Sequence, residues 1–344
     1  MGKLSWFHVL TVAAVLSVAS TRTVAQAALA STEVPVSLVL TLKGHHGADI
    51  SGLNSGNLIV TEGRDRARIT DVAPFNGERG GLELFIMMDN GPELSHGTQV
   101  EDIRRFILAQ PPTTKIGVAY MDMEGPKIVQ DLTADHSLAA QALTTPLARL
   151  ANGESPYTSL SQLIDKWPPS SDRREVLMIS NGEDATFGSS TPVAENPYLD
   201  AAIEKAQRSG IVVFTIATSH GALHLENEHP FLPQDQKSSG NSQDIGSMAN
   251  IGPTGTVVGK YYLAHLAEDT GGEYFYSKSS AALTFAPYLA DITDRLASQY
   301  LVSFLAKPGK GPGLQSVKVR SELPHTEVVT ARRAYIPAST VAQR

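Results

Sequence analysis

The feature that most constrains this chain is an alternation of buried strands and amphipathic helices that begins at Leu82. There Leu82-Glu83-Leu84-Phe85-Ile86-Met87-Met88 runs almost unbroken in apolar residues and stops at Asp89-Asn90-Gly91. A strand of that kind is covered on both faces, as in a parallel sheet. Val100, Ile103, Phe106 and Ile107 then mark one apolar helical face, which ends at Gln110-Pro111-Pro112. The cycle repeats. Strands are predicted at 116–121, 176–180, 211–217 and 273–276, and helices near 138–150, 158–166, 199–208, 261–268 and 283–297. Such alternation predicts an α/β fold: a doubly wound, mainly parallel sheet with helices on both faces and right-handed crossovers.

Both flanks follow a different pattern. Val36, Leu38 and Leu40 alternate with Ser37, Val39 and Thr41, and Leu58-Ile59-Val60 runs into the turn-like Glu62-Gly63-Arg64. The polar, glycine-rich stretch 76–81 marks a boundary. After the last helix, short extended runs at 301–305, 317–320 and 328–330 are separated by Pro308-Gly309-Lys310-Gly311-Pro312-Gly313 and by Pro324. Neither flank is large enough to fold alone. The two are therefore expected to pair into one small discontinuous β module, with the α/β unit inserted between them. The expected division is 1–27 signal peptide, 28–80 N-terminal β segment, 81–298 α/β domain, 299–337 C-terminal β segment and 338–344 tail.

The first residues point to export. Lys3 precedes an apolar run over 4–19, no further Lys, Arg or acid appears before Arg22, and Val24-Ala25-Gln26-Ala27-Ala28 follows. Ala25 and Ala27 form the small-x-small pattern of a signal-peptidase site, which places cleavage after Ala27. The run is shorter than the ~20 residues a spanning helix needs and contains His8, Thr11 and Ser17, so it reads as a signal rather than an anchor. Its removal takes Lys3 and Arg22 and no acid, moving the net charge of -7 further negative. The mature chain is expected to be secreted or periplasmic, with no transmembrane segment. An acidic balance, Lys+Arg 28 against Asp+Glu 35, lacks the basic surplus that nucleic-acid binding needs. The absence of cysteine excludes thiol chemistry, and 344 residues suffice for a core without disulfides.

In open α/β sheets ligands sit beyond the carboxyl ends of the strands, so Asp89-Asn90-Gly91-Pro92-Glu93 and Ser180-Asn181-Gly182-Glu183-Asp184 are expected at one edge. With Thr270-Gly271-Gly272 before an aromatic strand, Gln299-Tyr300-Leu301 after a helix and the closing Arg333-Ala334-Tyr335, residues 36–337 resemble a von Willebrand factor A-type domain. The likeness is to the bacterial secreted group with flanking β segments. It implies a Rossmann-like fold and a metal-ion-dependent adhesion site, built from an Asp-x-Ser-x-Ser loop, a threonine and a second aspartate around a hard cation of the magnesium class. Asp89 matches the first position. The two serines fall on Gly91 and Glu93, the threonine on Ser155 or Thr158, and the second aspartate on Asn181. Glycine offers no side-chain oxygen and asparagine a neutral carbonyl, so the site is expected to be degenerate. Glu93 adds charge beside Asp89, but it is longer than serine and follows Pro92, which restricts the loop. If a divalent cation such as magnesium binds, Asp89 and Glu93 are the residues expected to carry it.

These features predict a non-catalytic binding module of adhesion or scaffold type, whose edge of Asp89, Gly91, Glu93, Ser155, Thr158 and Asn181 contacts another protein. An alternative is a metal-dependent hydrolase that uses His220, His224 and His229 with Glu226 and Glu228, in the Gly-, Ser-, Asn- and Pro-rich stretch 219–256 read as an exposed insertion loop. That group lacks the H-E-x-x-H order. A purely structural envelope protein is the third reading. His45-His46 falls in an apparent hairpin turn with no nearby acid and reads as surface. No G-x-S-x-G elbow or P-loop is present, and the adjacency of Glu183 and Asp184 is no evidence of a raised pKa, so no enzyme activity is expected.

Overall fold

The computed structural model describes residues 33–45, 52–89, 97–122, 124–143, 155–184, 196–218, 254–276, 284–309 and 311–338. The expected signal peptide, Gly91, Glu93, and the group of His220, His224, His229, Glu226 and Glu228 lie outside the described residues. In chain order the strands are β1 (Val34–Gly44), β2 (Leu58–Glu62), β3 (Asp65–Arg66), β4 (Arg68–Pro74), β5 (Leu82–Met88), β6 (Thr114–Asp122), β7 (Gly125–Thr133), β8 (Arg173–Ser180), β9 (Ile211–Ala217), β10 (Tyr274–Tyr276), β11 (Gln299–Ala306), β12 (Gly313–Ser321), β13 (Thr326–Thr330) and β14 (Arg333–Ile336). The helices are α1 (Gly97–Leu108), α2 (His136–Gln141), α3 (Pro156–Lys166), α4 (Pro197–Ser209), α5 (Thr254–Thr270) and α6 (Ala286–Ala297).

Strands β5 to β10 form one six-stranded sheet in the order β10-β9-β8-β5-β6-β7. Its pairings are parallel except for β7, which runs antiparallel to β6 at the edge. The sheet is doubly wound, as the alternation predicts. Every residue of β5 is buried, and alternate side chains feed two cores. Leu82, Leu84, Ile86 and Met88 pack with Val100, Ile103, Phe106 and Ile107 of α1 and Leu289, Ile292 and Leu296 of α6. Phe85 and Met87 pack on the other face, with Tyr157 and Leu160 of α3, Leu199 and Ile203 of α4, and Leu263 and Leu266 of α5. Period-2 geometry turns one apolar run into two faces.

The two ends of the chain pair, as expected. They form two four-stranded antiparallel sheets, ordered β13-β1-β11-β4 and β14-β12-β2-β3, around a common core. In β1, Val34, Val36, Leu38, Leu40 and Leu42 point into that core, while Val317 and Val319 of β12 and Leu58 and Val60 of β2 close it from the opposite sheet. The first strand pairs with residues more than 250 positions later, for instance Leu38 opposite Val302. The result is a β-sandwich docked on the α/β unit.

Four expectations need correction. The edge strand β7 was not anticipated, because its burial is shallow and Lys127, Val129 and Asp131 face solvent, so the run carries no strong apolar signal. Helix α5 starts at Thr254, inside the stretch read as an irregular loop, and its weak helix formers Gly255 and Gly259 hid the start. His45 does have an acidic partner, with Nε2 3.3 Å from Glu327 Oε2, because β1 and β13 pair side by side. The helix expected at 138–150 begins earlier, at His136, where Asp135 caps it by accepting from Ser137 N and Leu138 N.

Candidate functional site

At the carboxyl ends of β5 and β8 the two predicted turns converge. Asp89 N donates to Ile179 O at 3.0 Å, and Asp89 Oδ2 accepts from Asn181 N at 2.8 Å. Parallel pairing of β5 with β8, in which Met88 faces Ile179, sets these residues side by side. The turn itself is held by its own side chains: Ser180 Oγ accepts from Gly182 N at 2.9 Å, and Asn181 Oδ1 accepts from Glu183 N at 2.8 Å. Asn and Ser are suited to this because their short acceptors reach backbone N–H groups two residues ahead.

Gly182 has φ +73°, and a Cβ there would lie 2.3 Å from the carbonyl oxygen of Gly259 on α5. The converse holds for Gly259, where a Cβ would lie 2.3 Å from Asn181 O. Helix and turn therefore touch backbone to backbone, which only glycine at both positions permits.

Ser155 is the N-cap of α3. Its Oγ accepts from Thr158 N at 3.3 Å and donates to Asp184 Oδ2 at 2.8 Å. The same carboxylate oxygen accepts from Asn196 Nδ2 at 3.1 Å, and Asn196 Oδ1 caps α4 by accepting from Tyr198 N and Leu199 N. Below them Tyr157 donates its hydroxyl to Gly182 O at 2.8 Å. Burial pushes that phenol well above the ordinary tyrosine range, and the nearby Asp184 carboxylate acts in the same direction. Tyr157 is thus a fixed donor.

The structure brings Asp89 and Asn181 into direct contact and sets Ser155 beside Asp184, with Thr158 half-buried in the first turn of α3. Tyr157, Asp184 and Asn196 were not singled out as site residues by sequence reasoning. Asn196-Pro197 carries a helix-start signal that locates Asn196, but nothing local reveals that its amide reaches Asp184.

Among the described residues the edge offers a divalent cation few uncommitted oxygens. Hard cations take six or more oxygens, whereas Asp89 Oδ2, Asn181 Oδ1 and Asp184 Oδ2 each already accept from the protein. Among the described residues no group of three or more His, Cys, Asp or Glu could hold a metal.

The structure thus combines a mainly parallel sheet with an antiparallel edge, helices on both faces and an Asp-bearing turn at its carboxyl end. The fold is a doubly wound, Rossmann-like α/β sheet with an antiparallel edge strand. No protein-family model matches the sequence, and no curated protein matches it. Solved structures do resemble it. One is a von Willebrand factor type A protein from Catenulispora acidiphila, 12% identical, covering 90% of this chain and 76% of that one, with a TM-score of 0.41. Another is an aerotolerance-related membrane protein from Bacteroides fragilis, 15% identical, covering 63% and 98%, with a TM-score of 0.40. A third is the vWF domain of the type V pili tip protein Mfa5 from Porphyromonas gingivalis, 12% identical, covering 62% and 95%, with a TM-score of 0.36.

Proposed function

We propose that this chain is an exported, non-catalytic module of adhesion or scaffold type, which binds another protein through the edge carrying Asp89, Ser155, Thr158 and Asn181, with a metal site that has become degenerate. The observation that carries the reading is the 2.8 Å hydrogen bond from Asn181 N to Asp89 Oδ2. A carboxylate held in this way organises the turn. The hydrogen bonds of the buried Ser155, Asp184 and Asn196 likewise tie the turn after β8 to the starts of α3 and α4 beneath that edge. Export is supported by the leader-like first 27 residues, and the non-catalytic reading by the lack of nucleophile and phosphate-binding motifs in the sequence. No helix among the described residues is long and apolar enough to cross a membrane.

Site-specific photo-crosslinking tests this reading. A crosslinker placed at Glu183, on the edge, is expected to capture a discrete protein from the exported fraction, whereas one at Lys318, exposed on the sandwich, is not. Capture from Lys318 but not from Glu183 would move the binding surface to the sandwich and overturn the proposal.

A further inference from the structure

The end of the sheet opposite the edge just described is built differently. Glu175 lies near the start of β8, paired with Leu84 and Val212, and is wholly buried. Neither of its carboxylate oxygens has a hydrogen-bond partner among the described residues. Arg173 Nε stands 4.0 Å from Glu175 Oε1 and is also unpartnered. The rest of that guanidinium is anchored: Nη1 donates to Leu296 O at 2.9 Å and to Gln299 Oε1, and its carbon lies 5.0 Å from the centre of the Phe75 ring. Gln299 keeps a buried Nε2 without a partner. Thr41 stands directly opposite Gln299 in the β1–β11 register, hence on the same face of that sheet, and its buried Oγ1 is unpartnered as well.

This group lies where the sandwich docks on the α/β unit. Val39 packs against the α/β core, and Lys43 and Arg295 both bind Glu273, at 2.9 and 2.7 Å. Arg173 Nε and Gln299 Nε2 are donors, the Glu175 oxygens are acceptors, and the Thr41 hydroxyl is either. Four buried side chains with complementary unmet needs make a polar site of the kind that internal water occupies. A donor and an acceptor 4.0 Å apart are too far for a direct bond, but a water beside the line joining them reaches both.

We propose that this seam holds an internal water bridging Glu175, Arg173, Gln299 and Thr41, and that Glu175 gains and loses a proton there, so that docking of the sandwich on the α/β unit depends on pH. Burial pushes the Glu175 carboxyl up to about 7, while the Arg173 guanidinium and the Gln299 amide pull the other way without closing a bond of normal length. Other charged groups nearby are engaged elsewhere. Arg174 turns to the opposite face, where it reaches Ser209 O and the Trp167 ring. Glu83 faces the same way, toward Trp167 and Lys115. On α6, Arg295 is held by Glu273, and Asp291 and Asp294 face solvent. Asp102 of α1 binds Thr284 and Phe285 at the other end of α6.

The folded state therefore keeps a proton that the unfolded chain loses near the ordinary 4.5. Stability contributed here falls as pH rises from 4.5 to about 7 and is level above that.

The test compares the parent with Glu175→Gln, which keeps shape and hydrogen-bonding capacity but cannot ionise. Across that window the folding equilibrium of the parent is expected to lose on the order of 100-fold more than that of the variant. Hydrogen exchange at Thr41 and Gln299, corrected for intrinsic rate, should rise with pH in the parent alone. Superimposable pH profiles would overturn the proton link. Should the variant fail to fold, carbon-13 NMR of the Glu175 carboxyl in the parent decides: a midpoint near 7 supports the link and one near 4.5 overturns it. A high-resolution crystal structure tests the water. Ordered density within hydrogen-bond reach of Glu175 and Arg173 is expected, and a dry, direct Arg173–Glu175 contact would refute it.

Discussion

The two ends of the central sheet solve the same problem in opposite ways. At the carboxyl end, Asp89, Asn181, Ser155, Asp184 and Asn196 bring polar groups together, and each makes a hydrogen bond to a neighbour on another element or turn. At the amino end, the buried Glu175, Gln299 and Thr41 and the partly buried Arg173 leave polar atoms unsatisfied. A satisfied network fixes a shape, whereas an unsatisfied one draws in solvent and responds to protons. The contrast sets a turn region held by its own hydrogen bonds against a seam with unmet polar atoms.

Substitutions at the rigid end should be the most damaging where backbone meets backbone. Gly182→Val places a branched side chain at φ +73° and against Gly259 O, and is expected to cost on the order of 4 kcal/mol in chemical denaturation. A cost below 1 kcal/mol would mean that α5 shifts freely and that this end is not rigid. The seam comes next. At pH 8, Glu175→Gln is expected to be more stable than the parent by roughly 2–4 kcal/mol, an advantage that shrinks toward zero below pH 4.5. Ser155→Ala removes a helix cap and one partner of Asp184, for a loss of about 1–2 kcal/mol at neutral pH. Arg332→Ala should have the smallest effect. Its pairs with Glu268 and Asp269, at 2.7 and 2.8 Å, tie α5 to the sandwich, but the side chain is largely exposed and screened, so less than about 1 kcal/mol is expected, shrinking further in high salt.

Much of the architecture is written in local pattern. The apolar run 82–88 becomes a strand buried along its whole length, and the 3.6-residue spacing of Val100, Ile103 and Ile107 becomes the face of α1 that packs on it. The pairing of the chain's two ends follows from their being too small to fold separately. Shallow elements were harder to read. In β7 only one of nine residues is buried, so little apolar signal marks it, and the first turns of α5 carry a weak helical signal because Gly259 serves close approach at the expense of helix propensity.

For the site, the meeting of Asp89 with Asn181 follows from strand-end topology alone. The union of Ser155, Asp184 and Asn196 does not, since it depends on three loops whose relative positions are set by packing. Nor could sequence show that the Glu175 carboxylate is buried without a direct hydrogen bond, because a lone glutamate in a strand looks the same whether it meets solvent or a closed seam.

The most direct test of the rigid, internally satisfied edge is calorimetric titration of the protein with magnesium, calcium and manganese beside an Asp89→Ala variant. The account predicts no saturable binding heat in either protein, because the oxygens of Asp89 and Asn181 serve the turn. Saturable binding in the parent that disappears in the variant would show a working cation site and contradict it.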